Sequence, residues 1–343
     1  MRERQRWTIP ATRVRSLVWN GDALLDPAAG WRRYELDGTA TPARINYPYP
    51  FDSATVSPSG EFTALTSRLG TKGLILKGQQ PIRELNRSYS YAHVFEYPLA
   101  LFRLPDGREV VAHCPDRPSV LQLDELATGR RLTSRDTPPL DVFHSRLQSS
   151  PGGRFLLSAG WLWHPLEALL VYDVPRALEH PASLDSRGVF HHNYVGFEVE
   201  GAAFAPDGSL LVATSEPLDA LDDDYLEFTS GLGPRRLARV SLRPAGARPA
   251  AGPTPTFLSQ VTVSERLGTL MALDGYVVGF YDHPKLVDVR TGEVVARWPD
   301  LRTGRQAGSI IRGQGPLPPL ALDPPRRRFA VAGPEHITVV QLG

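Results

Sequence analysis

Several features are scarce or absent in this sequence of 343 residues. It has one cysteine, Cys114, which excludes an internal disulfide and any metal site built from several cysteines. It contains no apolar run of about 18 residues or more, so we expect no membrane-spanning segment. The basic start, residues 1–10, has no apolar stretch and is not expected to be a signal peptide. These absences predict a soluble, cytoplasmic protein.

Neither sign of charge dominates the sequence. Lysine and arginine number 38 against 37 aspartate and glutamate, so no overall field would attract nucleic acid or an anionic membrane. Lysine occurs only at Lys72, Lys77 and Lys285, and the other basic residues are arginines. This bias is typical of a GC-rich genome and favours a bacterial source. The arginines are scattered, which does not favour phosphate recognition.

Turn-forming residues are abundant, with 30 glycines and 32 prolines. A proline inside a helix costs about 3 kcal/mol, so a helical bundle or helical solenoid is excluded. The hydrophobic fraction of 41% and the charged fraction of 22% are those of a globular protein. The sequence therefore predicts an all-β protein of many short strands joined by turns.

One pattern recurs along the chain: an apolar stretch, a turn containing proline or glycine, and a second apolar stretch. Proline presets φ for the first central turn position, and glycine accepts the positive φ that follows. A third strand usually comes next, and a Thr-Gly turn at 128–129 or 291–292 then leads to a fourth. Each unit is thus a four-stranded antiparallel meander. The turn glycines recur about every 40–60 residues, a period typical of propeller blades; they are Gly21, Gly60, Gly107, Gly153, Gly208 and Gly268.

The turns Ser57–Gly60, Pro105–Gly107 and Pro206–Gly208, together with Tyr172-Asp173, resemble degenerate WD40 repeats. The resemblance extends over essentially the whole chain and implies a β-propeller. No Gly-His dipeptide precedes a repeat and no Trp-Asp dipeptide occurs, so a broader WD40-like or quinoprotein-like propeller is an alternative.

The repeat units number seven, and we expect one domain over residues 1–343. The last unit has only three strands before the chain ends, and Arg6–Ile9 precedes the first unit. We therefore expect the N-terminal strand to complete the last blade, which would leave no open sheet edge in the ring. Removing residues 1–10 should then destabilise the protein. The predicted blades are 11–46, 51–86, 91–135, 141–187, 197–249, 256–299, and 308–343 with 5–10.

The sequence contains no motif that indicates catalysis or a metal site. His113 and Cys114 are neighbours on a predicted strand, so they point to opposite faces and do not form a catalytic pair. His191 and His192 are also adjacent, which is not the spacing of metal ligands. The acidic run 219–227 lacks the alternating pattern of a calcium loop. We predict no catalytic residue, no metal and no cofactor.

The longest connections are predicted to lie on one face of the propeller. Connections between the second and third strands of a blade, and between successive blades, open on the same side; we call this side the long-loop face. Aromatic residues are enriched at the centres of binding surfaces, so we expect this face to bind a protein partner. The plainer interpretation is that these aromatics only cover the ends of the blades. The candidate partner-binding residues are Tyr89, Tyr91, His93, Trp161, Trp163, His164, His191, His192, Tyr194, Asp222, Asp223, Asp224 and Tyr225.

An insertion after Ser215 separates two strands of the fifth blade by about twenty residues, a length that is uncommon without a role. We expect it to project from the long-loop face, and removal of residues 219–230 to weaken partner binding without affecting folding.

Three functions are compatible with these patterns. The leading hypothesis is a non-catalytic propeller that organises a multi-protein complex. The alternative is a propeller enzyme, lactonase-like or lyase-like, with a site at the channel mouth where His93, His191, His192 and Asp222 would be the residues of interest. A nucleic-acid contact through Arg326–Arg328 is favoured least, because that segment lies in a predicted turn without stacking aromatics.

Overall fold

The computed structural model describes residues 1–162, 166–193, 196–217, 231–242, 255–315 and 317–343. These residues form seven antiparallel sheets that follow one another along the chain. The sheets are the blades of a seven-bladed β-propeller, which confirms the fold predicted from the turns. Five of the described sheets have four strands, the third has three and the fourth has five.

The first three blades occupy the chain up to residue 131. The strands of the first blade are β2 (Val18–Asn20), β3 (Ala23–Asp26), β4 (Arg32–Tyr34) and β5 (Ala40–Thr41). Those of the second are β6 (Ser53–Val56), β7 (Phe62–Thr66), β8 (Lys72–Lys77) and β9 (Gln80–Asn86). Those of the third are β10 (Leu99–Arg103), β11 (Glu109–His113) and β12 (Gln122–Glu125). A single bridge between Asp124 and Arg131 stands where the fourth strand of the third blade would be.

The fourth blade contains the two helices of the described residues. Its strands are β13 (Val142–Phe143), β14 (Gln148–Ser149), β15 (Phe155–Leu162), β16 (Leu166–Asp173) and β17 (Phe190–Asn193). Between β16 and β17 lie the helix α1 (Val174–Glu179) and a 3-10 helix (Pro181–Asp185). The side chain of Asp173 caps α1 by accepting a hydrogen bond from the Arg176 amide.

The remaining blades complete the ring. The strands of the fifth are β18 (Val199–Phe204), β19 (Leu210–Thr214), β20 (Arg236–Ser241) and β21 (Thr256–Thr262). Those of the sixth are β22 (Leu270–Ala272), β23 (Tyr276–Gly279), β24 (Lys285–Asp288) and β25 (Val294–Arg297). Those of the seventh are β26 (Leu320–Asp323), β27 (Arg328–Ala332), β28 (His336–Leu342) and β1 (Glu3–Pro10).

The strand at Thr256–Thr262 corrects the expected start of the sixth blade. It pairs with β20 and is the outer strand of the fifth blade, so the sixth begins at Leu270. The first turn of the sixth blade contains Gly275, at φ +73°, rather than Gly268. That turn has no proline, which is why the sequence pattern placed the repeat too early.

The N-terminal strand closes the ring as predicted. β1 pairs antiparallel with β28, from Glu3 opposite Leu342 to Pro10 opposite His336. Arg6 also forms an ion pair with Asp300, beyond the outer strand of the sixth blade, at 2.7 Å. The seventh blade is therefore built from both ends of the chain.

Apolar clusters lie between neighbouring blades, one at each of the seven junctions described. Phe102 of the third blade packs in one cluster with Leu156 and Tyr172 of the fourth. Ile9 and Ile337 of the seventh blade share another with Leu24 of the first. Each blade therefore buries one face against each of its neighbours. This packing holds in place the connections that emerge on the two faces of the propeller.

Candidate functional site

The long-loop face is defined by the strand directions. Consecutive strands run antiparallel, so the connections between second and third strands end on the same side as those between blades. On the opposite side lie the tight turns at Gly60, Gly107 and Gly208, which have φ between +77° and +91°. A residue with a side chain is strained at those angles, so glycine is strongly favoured there.

An aromatic cluster lies beneath the long-loop face at the third and fourth blades. Phe143 stacks on Trp161 with ring centroids 4.1 Å apart and planes inclined by 13°. Phe95 meets both rings edge-on, at 5.8 and 6.0 Å. Tyr91 lies above them, with its centroid 5.6 Å from Phe143 and 5.9 Å from Trp161. Trp161 is only 3% exposed, so it supports the surface from below and is not presented to a partner.

Tyr89 and Tyr91 are the aromatic residues that this segment presents outward. Tyr89 is 86% exposed and Tyr91 is 39% exposed. His93, in the same connection, is also exposed. The backbone of Tyr91 has φ +54°, a strained conformation for a residue with a side chain. The ring of Tyr91 in turn contacts Phe143 and Trp161 of the cluster beneath it.

Arg87 organises this connection from within. It is buried, and its guanidinium donates hydrogen bonds to five backbone carbonyls. The ring of Phe95 lies 4.7 Å and that of Tyr97 4.8 Å from the guanidinium carbon. Burial lowers the pKa of Arg87 to about 10, so the side chain remains charged at neutral pH. The carbonyls belong to Arg68, Gly70, Ala92, Phe95 and Glu96.

A polar cleft of about 320 Å³ adjoins the two tyrosines. It lies between the 88–90 segment, the 116–119 turn of the third blade, and the connection at Asp141 and Phe143. Its side chains include hydroxyl groups, carboxylates and one arginine. Asp116 forms an ion pair with Arg131 at 3.2 Å. The cleft therefore offers polar partners beside an apolar surface.

The two adjacent histidines lie mainly inside the protein. His192 is buried and stacks on Phe197, with ring centroids 4.9 Å apart. Burial lowers the pKa of His192 to about 4 and also lowers the pKa of the half-buried His191. Both imidazoles are thus kept neutral at physiological pH.

The other candidate binding residues lie outside the described part of the chain, as does the segment 219–230. They are Trp163, His164, Tyr194, Asp222, Asp223, Asp224 and Tyr225.

The connection between the sixth and seventh blades contributes a strap, residues 304–312, to the long-loop face. It reaches across to the third blade, where Ile310 bridges Phe95 and the Val94 carbonyl accepts the amides of Ile311 and Arg312. Sequence analysis did not predict this crossing. The sequence feature that points to the crossing is Gly308, because a Cβ atom there would lie 2.4 Å from a carboxylate oxygen of Glu167.

Glu167 fastens the strap to the fourth blade. Its Oε1 accepts hydrogen bonds from the Ser309 amide at 2.7 Å and the Ile310 amide at 3.2 Å. Its Oε2 lies 3.3 Å from a guanidinium nitrogen of Arg146. Burial nevertheless raises the pKa of Glu167 to about 7, against the lowering effect of Arg146 and these donors.

The central channel lies between the innermost strands. It contains a cavity of about 320 Å³ lined by Leu99, Leu147, Leu270 and Leu320, with Gln306 of the strap among its polar residues. Within the described residues, no three His, Cys, Asp or Glu side chains are grouped closely enough to hold a metal ion.

His113 and Cys114 do not act together. His113 Nε2 lies 2.9 Å from Asp124 Oδ2, in a buried pair. Cys114 is buried, and burial raises the pKa of its thiol. A thiol protonated in this way is a poor nucleophile.

A comparison with solved structures also identifies a β-propeller. The chain is similar to the β-propeller domain of Cps50 (Swd1) from Myceliophteria thermophila, with a TM-score of 0.57 and 13% identity. The similarity covers 99% of this chain and 100% of that domain. No protein-family model matches the chain, and no curated protein matches its sequence. In the part of the chain that the structure describes, no helix has the length and apolar character that a membrane span requires.

Proposed function

We propose that this propeller is a non-catalytic scaffold that binds a protein partner through its long-loop face, with Tyr89 and Tyr91 at the centre of the contact. The observation that carries the proposal is the position of Tyr89. It is 86% exposed, yet it belongs to a connection fixed from within by Arg87 and by the aromatic cluster.

An exposed tyrosine on a fixed support is suited to binding. Tyrosine is enriched among the few residues that supply most of the binding free energy of an interface. A partner that covers Tyr89 buries a large aromatic ring, and this burial contributes favourably to the binding free energy. Because the five hydrogen bonds of Arg87 already order the backbone, little further conformational entropy is lost on binding.

The surroundings of Tyr89 supply the polar part of an interface. Ser88 and Ser90 line the adjoining cleft with Asp116, Arg117 and Asp141. Such groups form hydrogen bonds at the rim of a contact, where they determine specificity more than affinity. The resemblance of the turns to WD40 repeats supports the same role. The arginine bias and the single cysteine support a bacterial, cytoplasmic protein.

Site-specific photo-crosslinking tests the proposal. A benzophenone amino acid replaces Tyr89 in one variant and Asp37 in the control, and each is expressed in cells that naturally produce the protein. Asp37 is exposed and lies in a tight turn of the first blade on the opposite face. We expect position 89 to yield a discrete crosslinked protein that position 37 does not. The same products from both positions, or none from position 89, would contradict the proposal.

A further inference from the structure

A second cavity lies at the long-loop face between the sixth and seventh blades, far around the ring from Tyr89. Its volume is about 750 Å³, within the usual range for small-molecule sites of roughly 300–1,000 Å³. We call it the blade 6–7 cavity. Its walls are mostly apolar, with His336 and Thr338 among their polar side chains, and the larger apolar side chains in them are Leu301, Leu317, Pro318, Pro319, Val331 and Pro334.

These walls are well suited to hold an apolar ligand. Val331 belongs to β27, a strand of the seventh blade, and Leu301 packs in the apolar cluster between the two blades. Proline has a fixed φ, so Pro318 and Pro319 form a stiff part of the wall. A cavity with stiff apolar walls binds apolar groups without a large cost in ordering.

The rim of the cavity has an excess of positive charge. Arg302 and Arg305 line it, and their side chains are 75% and 74% exposed. Both lie near one carboxylate, that of Asp282, at 3.3 Å and 3.6 Å. The other carboxylate of the rim, Asp300, already forms an ion pair with Arg6 at 2.7 Å. One carboxylate cannot neutralise two guanidinium groups, so a positive charge remains to attract an anion.

We propose that the blade 6–7 cavity binds an aliphatic monocarboxylate of medium chain length. The hydrocarbon chain packs against the proline and leucine walls, and the carboxylate accepts hydrogen bonds from Arg302 and Arg305. Arginine is suited to this contact because its planar guanidinium matches the geometry of a carboxylate. The site differs from the proposed partner surface at Tyr89, so either can fail without the other.

Isothermal titration calorimetry with sodium decanoate tests the proposal on the full chain. Octanoate and decanol are titrated alongside. Each buried methylene raises affinity by about fourfold, so we expect decanoate, which has two more methylenes, to bind roughly fifteenfold more tightly than octanoate. We expect decanol, which lacks the charge, to bind at least about tenfold more weakly than decanoate. Equal binding of decanol, or no saturable binding of decanoate up to about 1 mM, would overturn the proposal.

Two variants place the binding in this cavity. Arg302→Gln with Arg305→Gln removes the rim charge; both arginines are exposed, so folding should be unaffected. Gly315→Phe adds a large ring to the lining, at a position where a Cβ atom meets nothing within 4 Å and φ is not positive. We expect each to weaken decanoate binding at least about tenfold. Unchanged binding in either variant would overturn the proposal.

The matched control is Arg130→Gln with Arg290→Gln. These arginines are also exposed, and both lie in turns between third and fourth strands on the opposite face. Their removal makes the same change in net charge, and we expect decanoate binding to stay as in the unaltered protein. A loss equal to that of the rim variant would mean a general effect of net charge and would overturn the proposal.

Discussion

Closure of the ring by the N-terminal strand is tested by Ile9→Ala. Ile9 is fully buried, in the cluster that joins the seventh blade to the first. Replacing a buried isoleucine by alanine lowers the free energy of unfolding by about 2–5 kcal/mol. We expect the upper part of that range, because hydrogen bonds to β28 hold β1 in place and keep the cavity from collapsing. Urea denaturation followed by tryptophan fluorescence measures the loss.

Ile82→Ala is the matched control. Ile82 lies on β9, the outer strand of the second blade, and is 43% exposed, so its replacement should cost about 0.5 kcal/mol or less. Deletion of residues 1–10 should destabilise more than Ile9→Ala and expose the edge of β28, which favours association between molecules. Equal losses in Ile9→Ala and Ile82→Ala, or an unchanged melting temperature in the deletion variant, would refute the closure.

Four further predictions concern buried groups. The raised pKa of Glu167, about 7, makes stability fall as pH rises from about 4.5 to 7, because the native state keeps a proton that the unfolded state has lost. The lowered pKa of His144, about 4, makes stability fall as pH drops from about 6.5 to 4. Between about pH 4.5 and 6.5 these two effects oppose each other. Urea midpoints there should therefore rise more steeply with pH in Glu167→Gln, and fall more steeply with pH in His144→Asn, than in the unaltered protein, and an unchanged slope would argue against that assignment. Arg87→Met should cost at least about 2 kcal/mol, since five carbonyls each lose one donor, and a loss under about 1 kcal/mol in urea would count against its organising role. Cys114 should react with a thiol reagent only after unfolding, and rapid labelling of the native protein would be incompatible with its burial.

The propeller could be predicted from the sequence because its strongest signals are local. A turn such as Pro206–Gly208 needs particular φ angles, and few residue types supply them. The predicted start of the sixth blade was wrong because its first turn, Leu273–Gly275, contains no proline. Closure was predictable because an incomplete last unit and an extra first strand leave few ways to pair the edges.

The candidate site was less predictable because it depends on contacts between distant segments. Tyr89 and Trp161 are both aromatic residues of the long-loop face, but Trp161 is buried by its stacking on Phe143 and its contacts with Phe95 and Tyr91, whereas Tyr89 is exposed. The attachment of Ser309 to Glu167 joins positions far apart in the chain. No periodicity or motif in the sequence indicates such a contact.

The most direct test of the scaffold role is the affinity of the crosslinked partner for the purified propeller. The protein, Tyr89→Ala and the control Ile82→Ala are compared by calorimetry. Removing an interface residue of this kind costs about 2 kcal/mol or more, so we predict binding at least roughly thirtyfold weaker in Tyr89→Ala. Ile82→Ala should bind like the unaltered protein. Unchanged affinity in Tyr89→Ala, or an equal loss in both variants, would contradict the proposed role of the long-loop face.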